Sequence, residues 1–191
     1  MDATTQYALA YALTTTAGLR GFLTLFAASV AAHYHWIHPS PGFTWLGADG
    51  TVIVLGIFAL LEIVADKVPA VDHALHALSF GARPIAAAIL VGGTVNTSNP
   101  AELYGLMAAG ALNTLVVHSS SAATRAASSA TTLGVANPVI SVVEDVLTIG
   151  GLVLAFAKPI LAAILALILV IALIVAASQV YKRVRAASAS A

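Results

Sequence analysis

The sequence predicts an all-α membrane protein of about six short transmembrane helices, some kinked or broken, arranged as two inverted three-helix repeats. Two observations carry most of this: 60% of the 191 residues are hydrophobic and only 8% are charged, whereas a soluble domain carries roughly 25% charged residues. The mean hydropathy of +0.96 agrees. Too few polar side chains exist to cover a soluble surface, so lipid is the expected solvent and a soluble enzyme is not. Eight basic and eight acidic residues cancel, which gives no reason to expect nucleic acid as a partner. The absence of cysteine excludes disulfides, thiolate chemistry and Cys-bearing metal sites, and no cofactor is called for.

The elements follow in order. Met1 to Gln6 lacks a basic leader, so the apolar stretch Tyr7–Ala32 is read as a first span rather than a signal peptide. It bends at Gly18, Leu19, Arg20 and Gly21, a weak point with a cation in its middle. His33 to Gly50 holds Trp36, Pro39, Pro41, Trp45 and Asp49 and reads as an interfacial loop. The second span, Thr51–Val68, carries Glu62, Asp66 and Lys67 in its last turns and stops at Pro69. Asp72 is read as the N-cap of a third helix that breaks near Gly81 and Pro84 and continues to Val95. Asn99, Pro100 and Glu102 mark the N-cap, N1 and N3 of a fourth helix ending near His118. The Ser, Thr and Ala-rich segment 119–134 around Arg125 is left without an assigned conformation. Asn137 and Pro138 open a fifth helix to Ala157, and the uncharged stretch Ile160–Val180 is the clearest span of all.

Six spans place both termini on one side. Lys67, Arg83, Arg125, Lys182, Arg183 and Arg185 then share the cytoplasmic side, Lys158 lies outside and Arg20 sits within the bilayer. The chain is one transmembrane domain, residues 1–191. An internal likeness between Arg83-Pro84-Ile85-Ala86 and Lys158-Pro159-Ile160-Leu161, each following an acidic cluster, suggests repeat halves 1–95 and 101–181.

Arg20, Glu62, Asp66, Glu144 and Asp145 are the candidate ion-path residues, because a charge at the bilayer centre costs about 2.5 to 3.5 kcal/mol on insertion scales and is seldom kept without a partner. Four acids against one buried arginine leave surplus negative charge, which favours a cation or shared protons. Asp72, His73 and His76, with Asp66, form a weaker candidate for a divalent metal, since His at i and i+3 share a helix face. The competing readings are ion pairs that only fix helix packing, and a lipid-acting enzyme with His73, His76 and His118 at headgroup depth.

Ala17-Gly18-Leu19-Arg20 with Leu23-Thr24-Leu25, Glu62-x-x-Ala65-Asp66-Lys67-x-Pro69-x-x-Asp72, Arg83-Pro84, Asn137-Pro138 with Ser141, Glu144-Asp145 and Lys158-Pro159 together resemble a bacterial membrane family catalogued as domain of unknown function 4126. The resemblance covers nearly the whole chain. It implies a multi-pass protein of the bacterial cytoplasmic membrane and no particular activity. A looser likeness is to membrane calcium and manganese exchangers with paired acidic motifs, but Glu62 and Asp66 are four apart, no Gly precedes Asp66 and no Lys follows Asp145. The leading expectation is therefore a small, oligomeric transporter or channel for a cation or neutral solute; the alternative is a structural or assembly membrane protein.

Overall fold

A computed structural model describes the backbone of residues 1–65, 69–133 and 135–189, and their side chains apart from 69–78, 180 and 183–189. Among these residues there are seven α-helices and one short 3-10 helix, Pro41–Gly47. The α-helices are α1 (Ala3–Leu19), α2 (Gly21–His33), α3 (Asp49–Ala65), α4 (Pro69–Thr94), α5 (Pro100–Thr132), α6 (Asn137–Ala157) and α7 (Pro159–Ala189).

The first apolar stretch does not cross as one bent span. Arg20 is extended, with φ −139° and ψ 94°, and the chain reverses there, so that α1 and α2 form a helical hairpin. The contacts at its open end establish this. The Asn96 amide donates to Gln6 Oε1 near the start of α1. Ser40, beyond the end of α2, donates to the Val95 carbonyl, and a Cβ on Gly93 would touch Leu46. A straight α1–α2 would hold these two ends about 40 Å apart at 1.5 Å per residue. Instead both meet the C-terminal end of α4.

Five helices enclose the hairpin, and their directions follow from the same reasoning. Helix α3 runs from the mouth toward the tip, stacking Phe58 on Phe22 and bringing Glu62 to Gly21. Helix α4 returns from Arg83 at the tip to Gly92, whose carbonyl accepts from Ser40. Helix α5 descends from Glu102, bonded to Tyr7, past Thr14 to Gly18, where a Cβ would meet Val117. Helix α6 climbs from Ser141 at Arg20 past Thr16, which packs on Gly151. Helix α7 descends again, and its Val170 packs with Leu19 and Val117.

Polarity is inverted relative to a soluble fold. The interior buries Thr14, Thr15, Thr16, Arg20, Thr24 and Ser29, while Ile53, Leu60, Leu61, Val146, Val153 and Ile168 lie 55 to 66% exposed on α3, α6 and α7. Asn137–Ala157 and Pro159–Gln179 are each long and apolar enough to cross a membrane, with hydropathies of 2.0 and 3.4. Pro41–Gly47 with Asp49–Ala65, bent by 66°, passes as a third. Tyr34, Trp36, Trp45 and Tyr104 stand exposed around the mouth and Tyr181 near the far end of α7, as interfacial aromatic residues do.

Other elements differ from expectation in ways tertiary packing explains. Helix α4 begins at Pro69 rather than after Asp72 and stays helical through Gly81 and Pro84, because α5 on one side and the hairpin on the other hold it across the missing Pro84 amide. Helix α5 continues through the segment 119–132 to Thr132, with Asn99 capping Ala101 and Glu102 as expected. Helix α6 keeps its expected bounds, but Ala136 occupies the cap position and Asn137 donates to Ser129 instead. Helix α7 extends to Ala189. The strings behind the proposed duplication sit in unlike places: Arg83-Pro84 lies inside α4, whereas Lys158-Pro159 marks the turn into α7.

The hairpin fits because its residues are small. A Cβ on Gly18 would lie 2.5 Å from Val117 Cβ and 3.0 Å from the Thr114 carbonyl oxygen. Gly18→Val should therefore destabilise the bundle by about 1 to 3 kcal/mol through overpacking, read as a lower unfolding midpoint in detergent. Gly105→Ala, where a Cβ meets nothing within 4 Å, should be neutral or slightly stabilising.

Candidate functional site

The reversal at Arg20 exposes the end of one helix and the beginning of another deep in the bundle. The first three amides of α2 have no helical partner. Glu62 of α3 supplies it: Oε1 accepts from Gly21 N at 2.9 Å, and Oε2 accepts from Phe22 N at 3.0 Å and Leu23 N at 3.1 Å. The next amide, Thr24 N, bonds the Arg20 carbonyl at 3.1 Å and begins the regular ladder. On the other arm, Arg83 of α4 donates through Nη1 to the Gly18 carbonyl at 2.7 Å. A carboxylate thus sits on the positive end of α2 and a guanidinium on the negative end of α1, the favourable arrangement for both dipoles.

Further charges surround this tip. Arg20 is 1% exposed, lies 2.7 Å from Asp145 Oδ1 through Nε and donates to Ser141 Oγ at 2.9 Å, tying the tip to α6. Arg83 Nη2 stands 3.9 Å from Glu62, and its Nη1 also meets His118 Nδ1 on α5. Arg125 of α5 pairs with Glu144 of α6, which also accepts from Ser121. Three arginines and three carboxylates balance, and α3, α4, α5, α6 and the hairpin each contribute. The surplus of negative charge expected from sequence is absent among the described residues, because Arg83 and Arg125 are buried members of the cluster rather than cytoplasmic flanks.

Four of the candidate residues, Arg20, Glu62, Glu144 and Asp145, are brought together. Glu144 and Asp145 point to different partners, as their adjacency on one helix requires. Asp66 lies outside the described residues, as do the side chains of Asp72, His73 and His76; among the described residues no group of three or more His, Cys, Asp or Glu is placed to hold a metal. Sequence reasoning missed Arg83 and Arg125 as site residues and raised His118 only for a lipid-acting enzyme at headgroup depth. The signal was a pair of polar stripes at helical spacing, His118, Ser121 and Arg125 on α5 and Ser141, Glu144, Asp145 and Thr148 on α6.

The space beside the cluster is small. A crevice of about 10 Å³ between Gly21, Phe22, Glu62, Ser79 and Arg83 is closed to anything larger than water. The larger cavities are apolar: about 580 Å³ between α2 and α6, lined by Phe26, Val30, Trp36 and Phe156 among others, and about 240 Å³ between α1, α6 and α7. Among the described residues the polar centre is closely packed.

These features define a class: an all-helical protein with helices apolar enough to cross a membrane, built around a charge-capped helical hairpin. Within that class, the chain belongs to the family described as Domain of unknown function (DUF4126), whose model matches residues 7–179. No curated protein and no solved structure matches the chain.

Removing one partner of a buried pair strands the other, at a cost of about 3 to 5 kcal/mol. Arg125→Met should destabilise by that amount, and adding Glu144→Met should restore most of it. A double-mutant cycle on the unfolding midpoint in detergent measures the coupling; additive losses would show that the two side chains do not interact.

Proposed function

We propose that the protein is a small multi-pass transporter of the bacterial cytoplasmic membrane, captured here with its path closed, and that the α1–α2 hairpin is its gate. The observation that carries this reading is the hairpin tip itself. Broken helix ends within the bilayer are where transporters hold substrate and coupling ions, and in this chain both ends are held by ionisable side chains from neighbouring helices. The tip also has the right depth. Val170, which packs beside Leu19, is midway between Pro159 and Tyr181, about 16 Å along the helix from each at 1.5 Å per residue. The full interval, about 33 Å, matches a hydrocarbon core of about 30 Å.

On this reading the hairpin enters and leaves on one side, and α3 to α7 make five crossings. The sixth crossing expected from sequence is replaced by the re-entrant pair. Lys67, Lys182, Arg183 and Arg185 then flank the far side against Lys158 at the mouth, so the positive-inside rule places the C-terminus in the cytoplasm and the N-terminus outside. The balanced cluster supports a neutral solute, or a cation exchanged for another charge, over uncompensated entry of a cation. Glu62, Glu144, Asp145 and Arg20 line the route.

A structural or assembly role is the second reading. What favours it is the closed crevice and complete pairing at the tip; what counts against it is that apolar side chains would pack the same space at lower electrostatic cost. The two readings part in proteoliposomes. Solute or ion flux that falls at least tenfold in Glu62→Gln and Glu144→Gln, with folding retained, supports transport, and undiminished flux in both variants ends it. Reporter fusions at the two termini should report opposite sides; reporting the same side would remove the five-crossing topology.

A further inference from the structure

We propose that His118 is the proton-binding residue of the transport cycle and that its protonation releases Arg83 from the hairpin tip. The inference rests on the reading of the hairpin as a gate and supplies its coupling ion.

Hydrogen-bond chemistry fixes the starting state. A guanidinium has five N–H donors and no acceptor. Arg83 Nη1 lies 2.5 Å from His118 Nδ1, so Nδ1 presents its lone pair and the ring is neutral, its proton on Nε2. The imidazole is fully buried, with the Phe80 ring edge-on at a centroid distance of 4.6 Å. The same Nη1 donates to the Gly18 carbonyl at 2.7 Å. One nitrogen therefore bridges the imidazole and the last turn of α1.

A proton arriving from water at Nδ1 replaces that acceptor with a donor facing a donor. It also adds a fourth cation where Arg20, Arg83 and Arg125 already balance Glu62, Glu144 and Asp145. Both effects push Arg83 off the bridge. Among the described residues, the charges of Glu62 from α3, Glu144 from α6, Arg125 from α5 and Arg20 at the tip all act on Arg83, with Asp145 paired to Arg20 and Ser121 to Glu144. Each carboxylate is already engaged, Glu62 by three amides, Glu144 by Arg125 and Ser121 and Asp145 by Arg20. His118 accepts from Arg83 through a nitrogen lone pair that a proton can claim. Once Arg83 leaves, α1 loses this side-chain cap, while Glu62 still holds the α2 end and Arg20 still ties the tip to α6.

The chain has no cysteine, so Phe22→Cys places a single nitroxide label at the tip of the full-length protein in liposomes. Accessibility of that label to a water-soluble paramagnetic chelate is measured from pH 8 to pH 5. A several-fold rise toward the acid end of this range is expected, because burial and the facing guanidinium both oppose the proton. In His118→Gln, whose amide oxygen still accepts from Arg83 and takes no proton, accessibility should stay low at every pH. His73→Gln with His76→Gln should keep the rise. An equal rise in His118→Gln would overturn the assignment and pass the proton to a carboxylate. A label that is closed at every pH in the parent but opens in Arg83→Gln would show a gate without proton control, which also overturns it. A tip that stays closed in the parent and in Arg83→Gln alike would overturn the gate itself, and the transport reading with it.

Discussion

Among the described residues, the charges that meet the hairpin tip trace back to one backbone break. Where α1 ends and α2 begins, amides and carbonyls lose their helical partners far from water, and each unsatisfied group costs several kcal/mol in an apolar surrounding. Glu62 and Arg83 meet that demand, yet they import charges that need partners of their own. Arg83 stands between Glu62 and His118, and Arg20, placed at the break, needs Asp145 and Ser141. Arg125 and Glu144 complete the cluster, locking α5 to α6 beside it. The site is thus the consequence of a chain that reverses inside a buried, low-dielectric interior.

Such an arrangement is a poor choice for stability alone. Desolvating six ionised groups is expensive, and packed apolar side chains of similar volume are commonly as good or better. The cluster nevertheless confers a property that an apolar core lacks. Its bonds have directions and protonation states, so a change at one atom makes a neighbour's position unfavourable rather than slightly weaker. Around it, the outer helices present exposed aliphatic faces.

What the sequence makes legible follows from how local each signal is. Composition alone identifies lipid as the solvent, and Asn99, Pro100 and Glu102 mark the start of α5 because capping needs only neighbouring residues. The weak point at Gly18 to Gly21 is also visible. Its consequence is not, because a bent span and a hairpin share the same local sequence and differ in which distant residues wait at the tip. Arg83 and Arg125 escaped for a related reason. Read along the chain, each borders a small-residue or Pro-marked segment and looks like a flank; only the hairpin, packed against α4 and α5, and α6 beside it make their positions interior. The polar stripes on α5 and α6 held the information, since an apolar helix has no other reason to align Ser141, Glu144 and Thr148 on one face.

The small residues of the hairpin complete the argument. Helices in lipid gain little from the hydrophobic effect when they associate, so close backbone approach and interhelical hydrogen bonds must do that work. Gly18 and Gly110 give the approach, the latter against Thr14 and Val91. Asn113 and Thr114 bond α1 directly through Thr14 and Thr15. These contacts all lie on the α1 arm, which packs on α4, α5, α6 and α7, whereas the α2 arm borders the apolar groove beside α6. The two arms are therefore unequally held.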